Sequence, residues 1–300
     1  MTTEHAPLPM PASSPQRRLA GLMHRHPRAR LASLLAAPLG WLVLAYIGSL
    51  VLFLVSSFWS VDSFTGNIVY QPSLDNYVEI LTTEVYRTIA VRTVLMAALV
   101  SLTTVALGFP IAFYMAKLAS ARTRGLLVVS ILLPLWSGYL VKVYAWRLIL
   151  SESGVLNGIL APLGLHGPGY GDVAVWIVET YLWLPYMIIP IFAGLERVPG
   201  SLLEASSDLG GRTLATFRRV ILPLVLPSII AGSIFTFSLT LGDYITPTLV
   251  SNTKFLGNVI YDFLGVAGNQ PFAAAYAMVP VVIMIVYLLV ARRLGAFEAL

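Results

Sequence analysis

Two carboxylates stand inside long apolar runs: Glu179 within 173–195 and Asp243 within 224–249. An ionisable group at the centre of a bilayer costs roughly 2.5–3.5 kcal/mol on insertion scales, so it faces a bundle interior or a wet cavity and marks a solute path more often than a lipid contact. The apolar runs also hold the aromatics Tyr139, Tyr144, Tyr181, Trp183, Tyr186 and Tyr244. Carboxylates with aromatic faces suit an organic cation, through Coulomb attraction to the acid and cation–π attraction to the ring. The plain alternatives are an intramembrane ion pair or a shallow helix end for the acids, and packing for the rings. Gly242-Asp243-Tyr244-Ile245-Thr246-Pro247 reads as a broken helix, which favours the path reading for Asp243.

A third feature is polar. Residues 201–223 interrupt the oily second half of the chain and carry helix signals of their own. Ser201 followed by Glu204 has capping-box spacing, in which the hydroxyl accepts from an N3 amide and the carboxylate reaches back to the Ser201 amide. Gly210 and Gly211 supply a left-handed stop. The spacing predicts a short helix over about 202–209, between two membrane spans. A loop needs no capped helix merely to connect, so this one reads as a docking element for something outside the chain; the plain alternative is a capped surface helix.

Other chemistry is excluded. The chain has no cysteine, which removes thiolate catalysis, disulfides and Cys-type zinc sites. The four histidines (His5, His24, His26, His166) lack metal-binding spacing. No lysine follows a glycine, so no phosphate-cradling Gly-Lys-Ser/Thr loop exists here. The chain is not expected to be an enzyme.

The elements that position these residues are spans. Of 300 residues, 57% are hydrophobic and only 11% charged, with mean hydropathy +0.81. Soluble domains carry about a quarter charged residues, so this is a membrane protein. Apolar runs of roughly 20 residues cross a bilayer. They lie near 34–58, 89–115, 126–150, 173–195, 224–249 and 272–291, giving an all-α protein with six transmembrane helices. The expected domains are a basic, disordered tail (1–33), a first helix (34–58) that packs outside the pathway, and a five-helix core (59–300). Prolines within the spans (Pro110, Pro134, Pro185, Pro190, Pro227, Pro280) are expected to kink them.

Of 19 lysines and arginines, 14 fall in the N-terminal segment, the second-third and fourth-fifth loops and the C-terminus. Positive-inside bias therefore places both termini and the 201–211 helix in the cytoplasm. The basic balance is spent on topology and on membrane lipid, not on nucleic acid.

Glu204-Ala205-Ser206, then Gly210, then Val220-Ile221-Leu222-Pro223 resembles the cytoplasmic loop signature of permease subunits of binding-protein-dependent ABC importers. Ser206 stands where that family usually has a second alanine. Leu133-Pro134-Leu135-Trp136 with Tyr139 through Trp146, and Gly242 through Pro247, are similar to the third- and fifth-span motifs of the spermidine/putrescine-type permeases. The resemblance covers about 34–295. It implies a type I importer permease of MetI-like fold in the bacterial inner membrane. Its partners would be two ATPase subunits that hold ATP and Mg²⁺, a second and non-identical permease subunit, and a periplasmic substrate-binding protein. The coupling residues would be Ser201, Glu204, Ala205, Ser206, Asp208, Gly210, Phe217 and Pro223; the pathway residues would be Asp243, Tyr244, Glu179, Trp183, Tyr139 and Tyr144. One departure bears on the solute: Ser251-Asn252-Thr253 stands where the polyamine group has a Gly-Gly turn. The expected cargo is an amine-bearing solute such as a polyamine, the alternatives being an opine, an amino-phosphonate, iron or another anion. An ATP-independent secondary transporter is the rival class, and no internal repeat supports it.

Overall fold

Long apolar segments with no water to bond their backbones satisfy every amide internally, and here they do so as helices. The computed structural model describes residues 27–62 and 64–293. The basic tail with Arg17, Arg18 and Arg25 lies outside the described residues, as do residues 294–300. Residues 27–33 are helical.

The chain divides into two units, 1–55 and 56–300. The first holds α1 (Pro27–Leu42), a π-turn (Val43–Ile47) and most of α2 (Gly48–Ser56). Residues Leu34–Ser56 are long and apolar enough to cross a membrane.

The second unit starts with a small antiparallel hairpin, β1 (Ser60–Val61) against β2 (Ile68–Val69), and α3 (Asp75–Thr82). Then come α4 (Glu84–Phe113) with a π-turn at Tyr114–Leu118, α5 (Ala121–Trp136), α6 (Tyr139–Leu150) and the short α7 (Val155–Leu160). α8 (Asp172–Glu196) leads to α9 (Gly200–Asp208), α10 (Thr213–Thr216), a π-turn (Phe217–Ile221) and α11 (Leu222–Gly242). α12 (Ile245–Val250), α13 (Leu256–Gly265) and α14 (Gln270–Arg293) complete it. Among the described residues five helices can span a bilayer by length and composition, and six if the bent pair α5–α6 counts as one span.

α4, α8 and α11 form the centre, and α8 is the most enclosed of the candidate spans. Apolar lipid gives helices no hydrophobic reason to associate, so small residues and polar pairs do the joining. A Cβ on Gly232 of α11 would sit 2.9 Å from Met187 Sδ of α8, and one on Gly194 of α8 would run into Ser228 of α11. Thr236 Oγ1 donates to Ser101 Oγ at 3.1 Å, joining α11 to α4; Trp176 Nε1 donates to Thr103 Oγ1 at 3.0 Å, joining α8 to α4.

Two of the expected spans are broken. The third bends by 95° between Trp136 and Tyr139 instead of running straight from 126 to 150. The helix that ends at Trp136 leaves its last carbonyls without amide partners. Pro134 O is recovered by Ser137 Oγ at 2.8 Å and Lys142 Nζ at 3.0 Å. The fifth ends at Gly242 and resumes at Ile245, the break the Gly-Asp-Tyr-Ile-Thr-Pro string signals. Helices run on through Pro110, Pro185, Pro190, Pro227 and Pro280.

Candidate pathway and coupling sites

The break in the fifth span is held by its own side chains. Asp243 Oδ1 accepts from the Ile245 amide at 2.9 Å and the Thr246 amide at 3.3 Å, which satisfies two orphan donors at the start of α12, where Pro247 has no amide hydrogen to place. Asn258 Nδ2 donates to Tyr244 O at 2.9 Å and to Thr248 Oγ1 at 2.8 Å, while its Oδ1 accepts from the Phe255 amide at 3.0 Å. Gly257 lets α13 approach: a Cβ there would meet the carbonyl oxygens of Gly242 and Asp243, each at 2.8 Å. Gly257→Ala is therefore expected to push the break apart and destabilise the protein by about 1–3 kcal/mol, the usual range for overpacking. A lower unfolding temperature of the purified protein checks this.

The other oxygen of Asp243 faces the third span. Tyr139, the first residue of α6, donates its hydroxyl to Asp243 Oδ2 at 2.5 Å and lies 2.8 Å from Thr246 Oγ1. Its ring stacks on Trp183 at 5.9 Å between centroids and 7° between planes. Tyr139, Trp183, Ser238, Leu239, Gly242, Asp243 and Tyr244 line an open hollow of about 340 Å³. Tyr244 closes one side, stacked on Tyr261 at 4.6 Å.

Four of the six expected pathway residues thus share one hollow: Asp243, Tyr244, Trp183 and Tyr139. Two do not. Glu179 is 1% exposed and lines no part of it; it sits deep on α8, one turn before Trp183. Tyr144 is 50% exposed, because α6 turns it away from the break. Thr180 Oγ1 and Trp183 Nε1 are buried without hydrogen-bond partners among the described residues, and the Glu179 carboxylate on α8 lies beside Thr240 on α11. Asn258, Gly257 and Thr246 were missed as holders of the break. An Asn preceded by Gly in a polar connection is a cap signal, and both Asn258 and Asn269 carry it there.

The polar interlude forms the short helix α9, but not as the capping box predicts. Its N-cap is Pro199, with no side-chain cap, and Ser201 is the second helical residue rather than the cap. Proline's fixed backbone starts the helix early (φ −64°, ψ 140°), which takes Ser201 off the position where its hydroxyl would bond an N3 amide. The far end is as expected: Gly210 has φ +73°, its amide donates to Ser207 O at 2.9 Å, and the Gly211 amide donates to Ser206 O at 2.8 Å, the Schellman pattern.

α9 shows one face to the outside. Glu204, Ala205, Asp208 and Gly210 are exposed, as is Pro223 further along. The inward side is anchored by Leu203 and Phe217 against the core; Phe217 meets Phe109 edge-on at 5.3 Å. Ser206 Oγ and Thr216 Oγ1 lie 2.8 Å apart, so serine in place of alanine ties α9 to α10. Below the helix, Lys117 Nζ donates to Val198 O at 2.7 Å, and Arg124 reaches Glu196 at 3.4 Å and Met115 O at 3.0 Å. These bonds tie the segment leading into α9 to the π-turn after α4, to α5 and to α8.

Broken spans around a polar hollow, with a braced helix projecting between two spans, describe a transport subunit. The chain belongs to the family of binding-protein-dependent transport system inner membrane components, whose model matches residues 108–296. It is 41% identical over 299 residues to the inner membrane ABC transporter permease protein YdcU of Escherichia coli K12, covering 94% of this chain and 95% of the relative. It is 33% identical over 262 residues to the spermidine/putrescine transport system permease protein PotB of the same organism, covering 85% and 94%. Its fold matches a chain of a bacterial alginate ABC transporter, solved with a pentasaccharide-bound periplasmic protein, at a TM-score of 0.72 and 15% identity over 94% of this chain and 98% of that one. The chain is an ABC importer permease subunit of the inner membrane, with the MetI-like fold of type I importers.

Proposed function

We propose that this permease passes a small amine-bearing solute, a polyamine or a related compound, from a periplasmic binding protein to the cytoplasm by alternating access. The observation that carries this reading is the Asp243 carboxylate at the edge of an open hollow walled by Tyr139, Trp183 and Tyr244. A carboxylate attracts a cationic nitrogen, and the ring faces add cation–π attraction. The same carboxylate repels phosphonates and other anions, which ranks them below amines. The PotB likeness supports the choice.

In this reading α9 is the coupling helix. ATP and Mg²⁺ sit on two ATPase subunits, and closure of those subunits draws α9 inward through its exposed face of Glu204, Ala205 and Asp208. The brace at Lys117 and Arg124 passes that displacement to α4, α5 and α8, so the two broken spans change their relation and the hollow opens to the binding protein. A second, non-identical permease completes the pathway. Both termini face the cytoplasm, as the basic loops require.

The test is uptake of radiolabelled spermidine into right-side-out vesicles carrying the assembled transporter and its binding protein. Uptake is expected to need ATP inside and to survive collapse of the proton gradient. Uptake that follows the gradient and ignores ATP contradicts the coupling scheme; ATP-dependent import of a neutral or anionic solute, with no effect of amines, contradicts the cargo.

A further inference from the structure

The two oxygens of Asp243 do different work. Oδ1 is taken by the amides of Ile245 and Thr246 and holds α12 in place. Oδ2 accepts the Tyr139 hydroxyl at 2.5 Å. With that proton committed to Asp243, the 2.8 Å contact between Tyr139 and Thr246 Oγ1 has threonine donating to the phenol oxygen, so the phenol has one donor and one acceptor in use. Each break is also secured locally: the bend of the third span by Ser137 and Lys142 on Pro134 O, the break of the fifth by Asp243 Oδ1 and Asn258. Among the described residues, the Tyr139 hydroxyl is therefore the side-chain group that hydrogen-bonds α6 to the break in the fifth span, and neither break depends on it to satisfy its backbone. It stands in the hollow, on the carboxylate oxygen a cation would take.

Resting on the reading of this hollow as the cation path, we propose that Tyr139 is a specificity-determining latch: its hydroxyl occupies Asp243 Oδ2 until a charged nitrogen displaces it, which uncouples the bend of the third span from the break of the fifth. The selectivity follows from hydrogen-bond strength. A neutral hydroxyl or amide exchanges one neutral donor for another and gains little. An ammonium or guanidinium group brings a charge-assisted bond about twice as strong and wins the oxygen. Stacking on Trp183 keeps the phenol ring poised to return when the cation leaves. The latch thus rejects neutral solutes small enough to enter the hollow, a task that shape alone does not perform at an open site.

The chain contains no cysteine, so one introduced thiol reports on the hollow without background from this subunit. Ser238 lines the hollow on α11 and is half-buried. The experiment compares the rates at which 2-aminoethyl methanethiosulfonate, whose primary ammonium carries N–H donors, and a neutral methanethiosulfonate of similar size modify Ser238→Cys, in permeabilised membranes holding the assembled transporter. The measured quantity is the cationic-to-neutral rate ratio. Asp243→Asn is expected to lower that ratio, and Tyr139→Phe to raise it by roughly tenfold, as the loss of a competing hydrogen bond to a carboxylate would. Thr246→Val, which removes the phenol's second partner and leaves Asp243 intact, is expected to move it the same way and less far. A ratio that falls with Asp243→Asn but does not move with Tyr139→Phe or Thr246→Val overturns the latch and leaves the cation path standing. A ratio indifferent to Asp243→Asn overturns the cation path, and the latch with it.

Discussion

Replacing Gly210 by proline, or Glu204 by lysine, is expected to reduce ATP-driven uptake to background while the protein still inserts into the membrane. The two changes act at different levels. Gly210 sits at φ +73° and donates its amide to Ser207 O, closing the end of α9. Proline fixes φ near −65° and has no amide hydrogen, so neither feature survives. The end of α9 then frays, and the tie from Ser206 to Thr216 that depends on it is lost. Glu204→Lys leaves the backbone alone. The side chain is exposed, and among the described residues it forms no ion pair. Lysine has nearly the same helix propensity as glutamate. Such a surface exchange usually changes stability by less than about 0.5 kcal/mol. Loss of uptake in Glu204→Lys, with normal amounts of protein in the membrane, therefore reports a broken contact with another subunit and not a misfolded loop. Uptake at the unaltered rate in both variants would mean that α9 transmits nothing.

Asp243 has two functions that two substitutions separate. Asp243→Asn keeps an oxygen to accept the Ile245 and Thr246 amides, so α12 stays seated; it removes the charge that the hollow offers a solute. Amine uptake is expected to fall by roughly tenfold to a hundredfold, corresponding to the ~1.5–3 kcal/mol that a hydrogen bond to a charged group contributes. The unfolding temperature of the purified transporter should barely change. Asp243→Ala removes both functions, and the uncapped helix start is expected to cost about 1–2 kcal/mol more in stability. Equal uptake in wild type and Asp243→Asn, with only Asp243→Ala impaired, would reduce Asp243 to a structural cap.

Backbone rules made some of this legible from the sequence and packing hid the rest. The end of α9 was readable because a positive φ selects glycine, and Gly210 and Gly211 are the glycines that follow the polar run. Its start was not, because Pro199 opened the helix ahead of a serine and glutamate that happened to have capping-box spacing. The break at Asp243 was announced by glycine, aspartate and proline in one short string. The bend at Ser137 and Gly138 lay within a stretch whose apolar content continues on both sides, so it read as one span. Helix rotation was the least accessible property. A span apolar on every side has no periodic stripe to show which face looks inward. The sequence could therefore name Glu179 and Tyr144 beside Asp243 and Tyr139 without showing that α8 encloses Glu179 or that Tyr144 is exposed. Lys117 was counted as a topological charge, and only the folded chain shows it bonded to Val198 O at the root of α9.

The central idea is mechanical: force generated on another polypeptide enters this one through α9. A cysteine placed at residue 204 of this otherwise cysteine-free chain, carrying a photoactivatable cross-linker in the assembled transporter, tests it most directly. The expected result is a covalent adduct with the ATPase subunit whose yield changes when ATP is added. Adducts with lipid alone, or none to any protein subunit in a transporter that still imports, would contradict it.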